Sequence, residues 1–219
     1  MTVDWEERAR AAQARYEDGA ARLPDNADER QRQLTRMGNA AWAAGLSYLM
    51  LDRRDDANEW LVRGAETYRR SWPDAPAGSW GRPIGAMKSR LIAGDVVGAT
   101  EDARWALDEG AAESESPIGR YAAALAQLVL GEDDAAAALA ATLTGAEAIP
   151  PAVSVSITTL AMRDAPEYQR AIAALVADFE ARDEFLEDIA VADTVLAVQA
   201  LAAVRGMDVP LASALLPER

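Results

Sequence analysis

Small residues at fixed distances from three turns constrain this chain more than any other feature. The turn residues are Asp52, Gly94 and Gly131. Five positions after each comes alanine: Ala57, Ala99 and Ala136. Four further on stand Leu61, Ala103 and Ala140, and seven before each turn stand Gly45, Met87 and Ala124. Small side chains on both sides of a turn let two helix axes approach closely. Glycine ends a helix by adopting positive φ, and Asp95 can cap the helix after Gly94. Ile84 to Gly110 therefore reads as two helices folded back at Gly94-Asp95. One such hairpin leaves its outer faces bare and requires neighbours.

The rest of the chain supplies them. Trp5, Ala9, Ala12 and Tyr16 recur at helical spacing and predict a first helix over residues 4–22. Leu23-Pro24-Asp25-Asn26 breaks it. A second helix is expected from about Asp28 to Leu51, apolar nearly all round in its later half, and a third from Asp55 or Asp56 to Trp72. Ser116-Pro117 starts another helix, with serine as cap and proline in the first turn. Helices are expected from there to Leu130 and from Asp134 to Leu143. Val153 to Met162 is β-branched, but inside a helical chain it reads as a buried helix. The last two helices are expected up to Arg182 and from Asp188 to Arg205, before a nonhelical apolar tail.

Residues 72–83, Trp-Pro-Asp-Ala-Pro-Ala-Gly-Ser-Trp-Gly-Arg-Pro, differ from their surroundings and read as a loop. Trp72 and Trp80 either seal the gap between helix pairs or form an aromatic contact surface, since tryptophan and arginine concentrate binding energy. Arg82 and Lys88 would add a cationic patch. These four residues are the candidate binding site.

Composition narrows the function. Net charge is −14, from 36 acidic residues against 22 basic ones. That disfavours nucleic acid and anionic membrane as partners. Lys88 is the only lysine. Acidity with so little lysine fits either a salt-adapted proteome or a high-GC genome. The chain has no cysteine and no histidine, which removes disulfides, thiolate and imidazole metal sites, and Ser-His or Cys-His catalysis. The N-terminus lacks the apolar core of a signal peptide, so a cytoplasmic protein is expected. Carboxylate chemistry is what remains. Glu180, Glu184 and Glu187 share a face if helical, next to Asp183 and Asp188, but no matching acidic helix accompanies them. No catalytic residue, metal site or cofactor is assigned.

The turn offsets and their small residues resemble the tetratricopeptide repeat (TPR), over about residues 28–145. Gly45, Tyr48 and Ala57 fit its pattern well; Met87 departs from it, and the repeat's closing proline is missing. The resemblance implies an all-α, TPR-like α-solenoid of stacked antiparallel hairpins, nine or ten helices in one domain over residues 1–219. The C-terminal helices and tail would occupy 150–219. The tail from Ala192 to Pro217, and Trp80 to Ala99 with its Ala93-Gly94-Asp95 turn, also look similar to Imm49-type immunity proteins. That resemblance implies binding and neutralising a cognate toxin.

The expected role is a noncatalytic protein-interaction scaffold, its partner another protein, a toxin under the second resemblance; a homo-oligomer is compatible with this. The competing class is an enzyme with an interhelical carboxylate site. An open concave face would favour the first, and a closed pocket with two facing acids the second.

Overall fold

The computed structural model describes residues 3–218. The chain is all-α, in ten helices: α1 Trp5–Ala21, α2 Ala27–Met50, α3 Arg54–Ser71, α4 Gly81–Ala93, α5 Val96–Asp108, α6 Pro117–Leu130, α7 Asp133–Ala141, α8 Pro151–Ala161, α9 Ala165–Glu180 and α10 Asp193–Val204. No strand occurs among the described residues, and none of the described helices is long and apolar enough to cross a membrane.

Side-chain caps fix several starts. The Asp4 carboxylate accepts from the Glu7 amide at 2.9 Å, Asn26 from Glu29 at 3.0 Å, Asp95 from Gly98 at 2.9 Å and Asp164 from Glu167 at 3.1 Å. Each satisfies an amide that the first turn leaves without a helical partner.

From α1 to α9 every helix packs on the next, and α4, α6 and α8 also touch in series. This order is compatible with a solenoid. The three turns named from the sequence are all left-handed, with φ of 56° at Asp52, 74° at Gly94 and 80° at Gly131. A fourth left-handed residue, Arg163 with φ 55°, closes α8 just before the Asp164 cap and Pro166, where the sequence already carries a helix-start signal. Five positions on lies Tyr168, nine on lies Ile172, and seven before lies Ser156, all fully buried. The hairpin series therefore runs past residue 145 and takes in α8 and α9. This unit escapes a search for small residues because tyrosine and isoleucine fill its seam.

The seams are tight where the residues are small. A Cβ on Gly45 would lie 2.6 Å from Leu61 Cγ. Ala57, Ala99, Ala103, Ala136 and Ala140 are fully buried.

Three boundaries differ from expectation. Helix α4 begins at Gly81, so Pro83 falls inside its first turn, where a missing amide hydrogen costs nothing. The final helix begins at Asp193 and not at Asp188. Residues 186–188 are instead a 3-10 turn in which Glu187 and Asp188 take φ of 54° and 58°. Helix α9 stops at Glu180, so Glu180, Glu184 and Glu187 never form one helical face.

The largest departure is the C-terminal segment. Helix α10 is largely apolar, its polar residues being Asp193, Thr194 and Gln199. It packs against α4, α8 and α9, burying Val195, Ala197, Val198, Leu201 and Ala202. The helix row that an open concave face would expose is thus covered by the chain itself. Polar ties lock it there: Tyr168 donates to Gln199 Oε1 at 2.8 Å, and Arg205 donates to Asp133 at 2.6 Å and to the Leu128 carbonyl at 2.7 Å.

Candidate functional site

The four residues singled out in the sequence divide into two groups. Trp72 and Trp80 belong to an aromatic cluster. Their ring centroids are 5.4 Å apart, and Trp72 meets Trp105 edge-on at 5.5 Å. Trp80 and Trp105 are buried and Trp72 is half-buried. The 72–80 connection therefore folds its tryptophans inward, against α3, α4 and α5. Beside them lies an ion network. Asp102 accepts from Arg90 Nε at 2.8 Å and Arg69 Nη1 at 3.1 Å, and Arg90 also reaches Asp95 at 2.5 Å. Burial pushes the Asp102 carboxyl above its ordinary value, and the two arginines only partly offset this.

Arg82 and Lys88 lie elsewhere on α4. The expectation that they form a surface cationic patch is corrected: Arg82 is buried, and the Lys88 side chain is 14% exposed. Both line one cleft of about 380 Å³, walled by Trp42, Tyr68, Ile84 and Leu186 and completed by Asn39 and Asp193. A second cleft of about 240 Å³ adjoins it through Trp42, Lys88, Leu186 and Asp193.

The cleft follows from local sequence. Tyr68 lies between two helix glycines: a Cβ on Gly38 of α2 would sit 2.7 Å from its ring, and one on Gly85 of α4 would sit 2.9 Å from it. Any larger residue at either position would push the ring away. The Tyr68 hydroxyl donates to Asn39 Oδ1 at 2.9 Å. Burial raises the Tyr68 pKa, so the phenol stays protonated at neutral pH.

Lys88 Nζ is 2.5 Å from the Asp193 carboxylate and donates to Thr194 Oγ1 at 3.0 Å. Burial alone would lower the lysine's pKa. The Asp193 charge, Tyr121 and the hydrogen bond to Asp193 together outweigh it, and the net shift is upward. Lys88 is thus held as the protonated partner of Asp193.

The lip of the cleft is the strained 3-10 turn. Two consecutive non-glycine residues in the left-handed region cost about 1–2 kcal/mol each. Helix α1 holds them: Arg8 donates to the Asp188 carbonyl at 2.6 Å, and Arg15 meets Glu187 at 3.1 Å. Leu186 is left exposed at the rim.

Asn39, Tyr68, Leu186 and Asp193 were not singled out from the sequence as site residues. One signal did point toward Asp193. A lone lysine on the mostly buried α4 demands a buried acid, and Asp193 opens a largely apolar helix. The concave row is covered by α10, and no group of three or more acids among the described residues is placed to hold a metal ion.

Separately, four large apolar residues are exposed within three positions of left-handed backbone residues. Val96 and Val97 begin α5, Met162 ends the α8 turn and Val204 ends α10; they are 60%, 73%, 68% and 75% exposed. Met162 and Val204 bracket Asp133, because the residues following them, Arg163 and Arg205, both pair with that carboxylate. No protein-family model, curated protein or solved structure matches the chain.

Proposed function

We propose that this chain is a noncatalytic protein-interaction module that contacts its partner with the edge carrying the four left-handed turns. The observation that carries the reading is the gathering of Val96, Val97, Met162 and Val204 there. Exposed apolar side chains collected on one face mark interaction surfaces more often than scattered ones do. Alternating helices bring the turns to one edge, and the Arg163–Asp133 pair, 3.2 Å, ties the last two together.

Charge gives the partner's chemistry. Asp55, Glu132 and Asp134 are exposed at the starts of α3 and α7. Arg53 and Arg163 at the same edge are engaged with Asp56 and Asp133. Acids around apolar anchors suit a partner whose apolar contacts are flanked by basic residues, and the net charge of −14 would steer it in. The filled concave row supports the edge over the groove.

The test replaces Val97, Met162 and, as control, the exposed Arg10 of α1 with a photo-crosslinking phenylalanine analogue in the source cells. Positions 97 and 162 should trap one discrete protein that position 10 does not, and purified complex should weaken as salt rises. An identical pattern at all three positions would overturn the reading.

A further inference from the structure

Three charged residues are buried among the described residues: Arg82, Asp102 and Asp193. Asp102 faces two arginines and Asp193 faces Lys88. Arg82 alone has no carboxylate within ion-pair distance. Its Nε and Nη2 donate to Thr35 Oγ1 at 3.1 and 3.0 Å, and Nη2 also contacts Gln31 Oε1. Those partners are neutral. Nη1 is buried with no partner at all. The side chain is 7% exposed, and burial pushes its pKa down.

A buried charge without a counter-charge is costly, and structures normally remove it by pairing. This chain has 36 acidic residues with which to do so. It leaves Arg82 without one, at the wall of a cleft. Lys88, on the same wall, is already neutralised by Asp193, so the cleft holds one uncompensated positive charge. A singly charged anion balances it; a phosphate dianion would not. The other walls are the rings of Trp42 and Tyr68 with Ile84, and Leu186 stands at the lip. A volume of about 380 Å³ falls in the range of small-molecule sites.

We propose that this cleft binds a small organic monocarboxylate with an apolar, ring-sized body, and that Arg82 is its counter-charge. The carboxylate lies at the Arg82 end of the cleft and balances the guanidinium charge, and the body packs against Trp42 and Tyr68 beneath Leu186. This goes beyond the protein-interaction reading and uses none of the residues at the turn edge.

The experiment titrates the full chain with phenylacetate and with its neutral counterpart phenylacetamide, followed by calorimetry and by the amide resonances of Gly81 and Gly85. Phenylacetate should bind saturably at millimolar concentration, and phenylacetamide at least about tenfold more weakly, the loss of one charge-assisted contact. Arg82→Gln should erase that preference, and Arg82→Lys should restore part of it. If Arg82→Gln fails to fold, Leu186→Ala at the exposed lip leaves the core intact and should weaken phenylacetate about threefold. Equal binding of acid and amide, unchanged affinity in Arg82→Gln or Leu186→Ala, or the same resonance shifts with chloride at matched ionic strength would overturn the proposal.

Discussion

The Nζ of Lys88 on α4 lies 2.5 Å from the carboxylate of Asp193, the first residue of α10. This pair is one of the ties that join the C-terminal helix to the hairpin row, and it lies where the two clefts meet. Removing one partner should cost about 3–5 kcal/mol, because it strands the other charge in the interior. Lys88→Met and Asp193→Leu should each show that loss on denaturant unfolding, and the double variant should recover most of it. A double variant as unstable as the worse single one would mean the pair is not the unit of stability.

The same pair sets a limit at high pH. The Lys88 pKa is raised above 10.5 in the folded state. The folded state therefore holds its proton longer than the unfolded chain does. The pair's contribution is full below that ordinary value and is lost as pH rises through the higher folded one. Burial opposes this rise most and Arg182 a little, while Asp193 and Tyr121 together raise the lysine's pKa beyond them. Tyr68 and Tyr121, also raised by burial, steepen the fall in the same direction. Unfolding free energy followed from pH 9 upward should therefore drop less in the Lys88→Met/Asp193→Leu variant than in the parent.

Trp80 seals the junction between α3 and α4, so Trp80→Ala should cost about 3–5 kcal/mol, as buried aromatic truncations do. Trp72, half-buried, should cost less. Urea unfolding monitored by far-ultraviolet circular dichroism checks both. A stability change under about 0.5 kcal/mol for Trp80→Ala, the level of ordinary surface substitutions, would return it to the list of contact residues.

Two glycines should fail for different reasons. In Gly45→Ala the new methyl meets Leu61, and overpacking should cost about 1–3 kcal/mol. Gly131→Ala meets nothing within 4 Å, yet its φ of 80° imposes about 1–2 kcal/mol of backbone strain. Gly131→Asn should relieve part of that strain, because asparagine tolerates the left-handed region, whereas no substitution larger than glycine rescues position 45. Ala99→Leu and Ala103→Leu, at fully buried seam positions, should lose about 1–3 kcal/mol each.

The acidic surface predicts a response to salt. With 36 acidic residues against 22 basic ones, repulsion opposes the compact state, and salt screens it. If the acidity is salt adaptation, the melting temperature should climb steadily from low to molar KCl. A flat or falling profile would assign the acidity to base composition.

The sequence by itself determined what depends on neighbours a few residues apart. Helix-forming composition, cap residues such as Asn26 and Asp164, and turns at Asp52, Gly94 and Gly131 are local, and the helices follow from them. The break at Arg163–Glu167 is also local, with Asp164 as cap and Pro166 after it, but arginine does not announce a positive φ; there the Asp164 amide bonds the Thr159 carbonyl and closes α8 as the glycine turns close their helices. Tertiary structure decided everything that joins distant segments. Glu180, Glu184 and Glu187 carry helical spacing, but α1 pulls residues 186–188 into a strained turn through Arg8 and Arg15. Arg82 and Lys88 are both cations near one loop, yet one pairs with Asp193 and the other with no acid. That difference arises because α10, largely apolar, buries itself across the hairpin row. Its docking carries an aspartate to Lys88 and leaves Arg82 at the wall of a cleft.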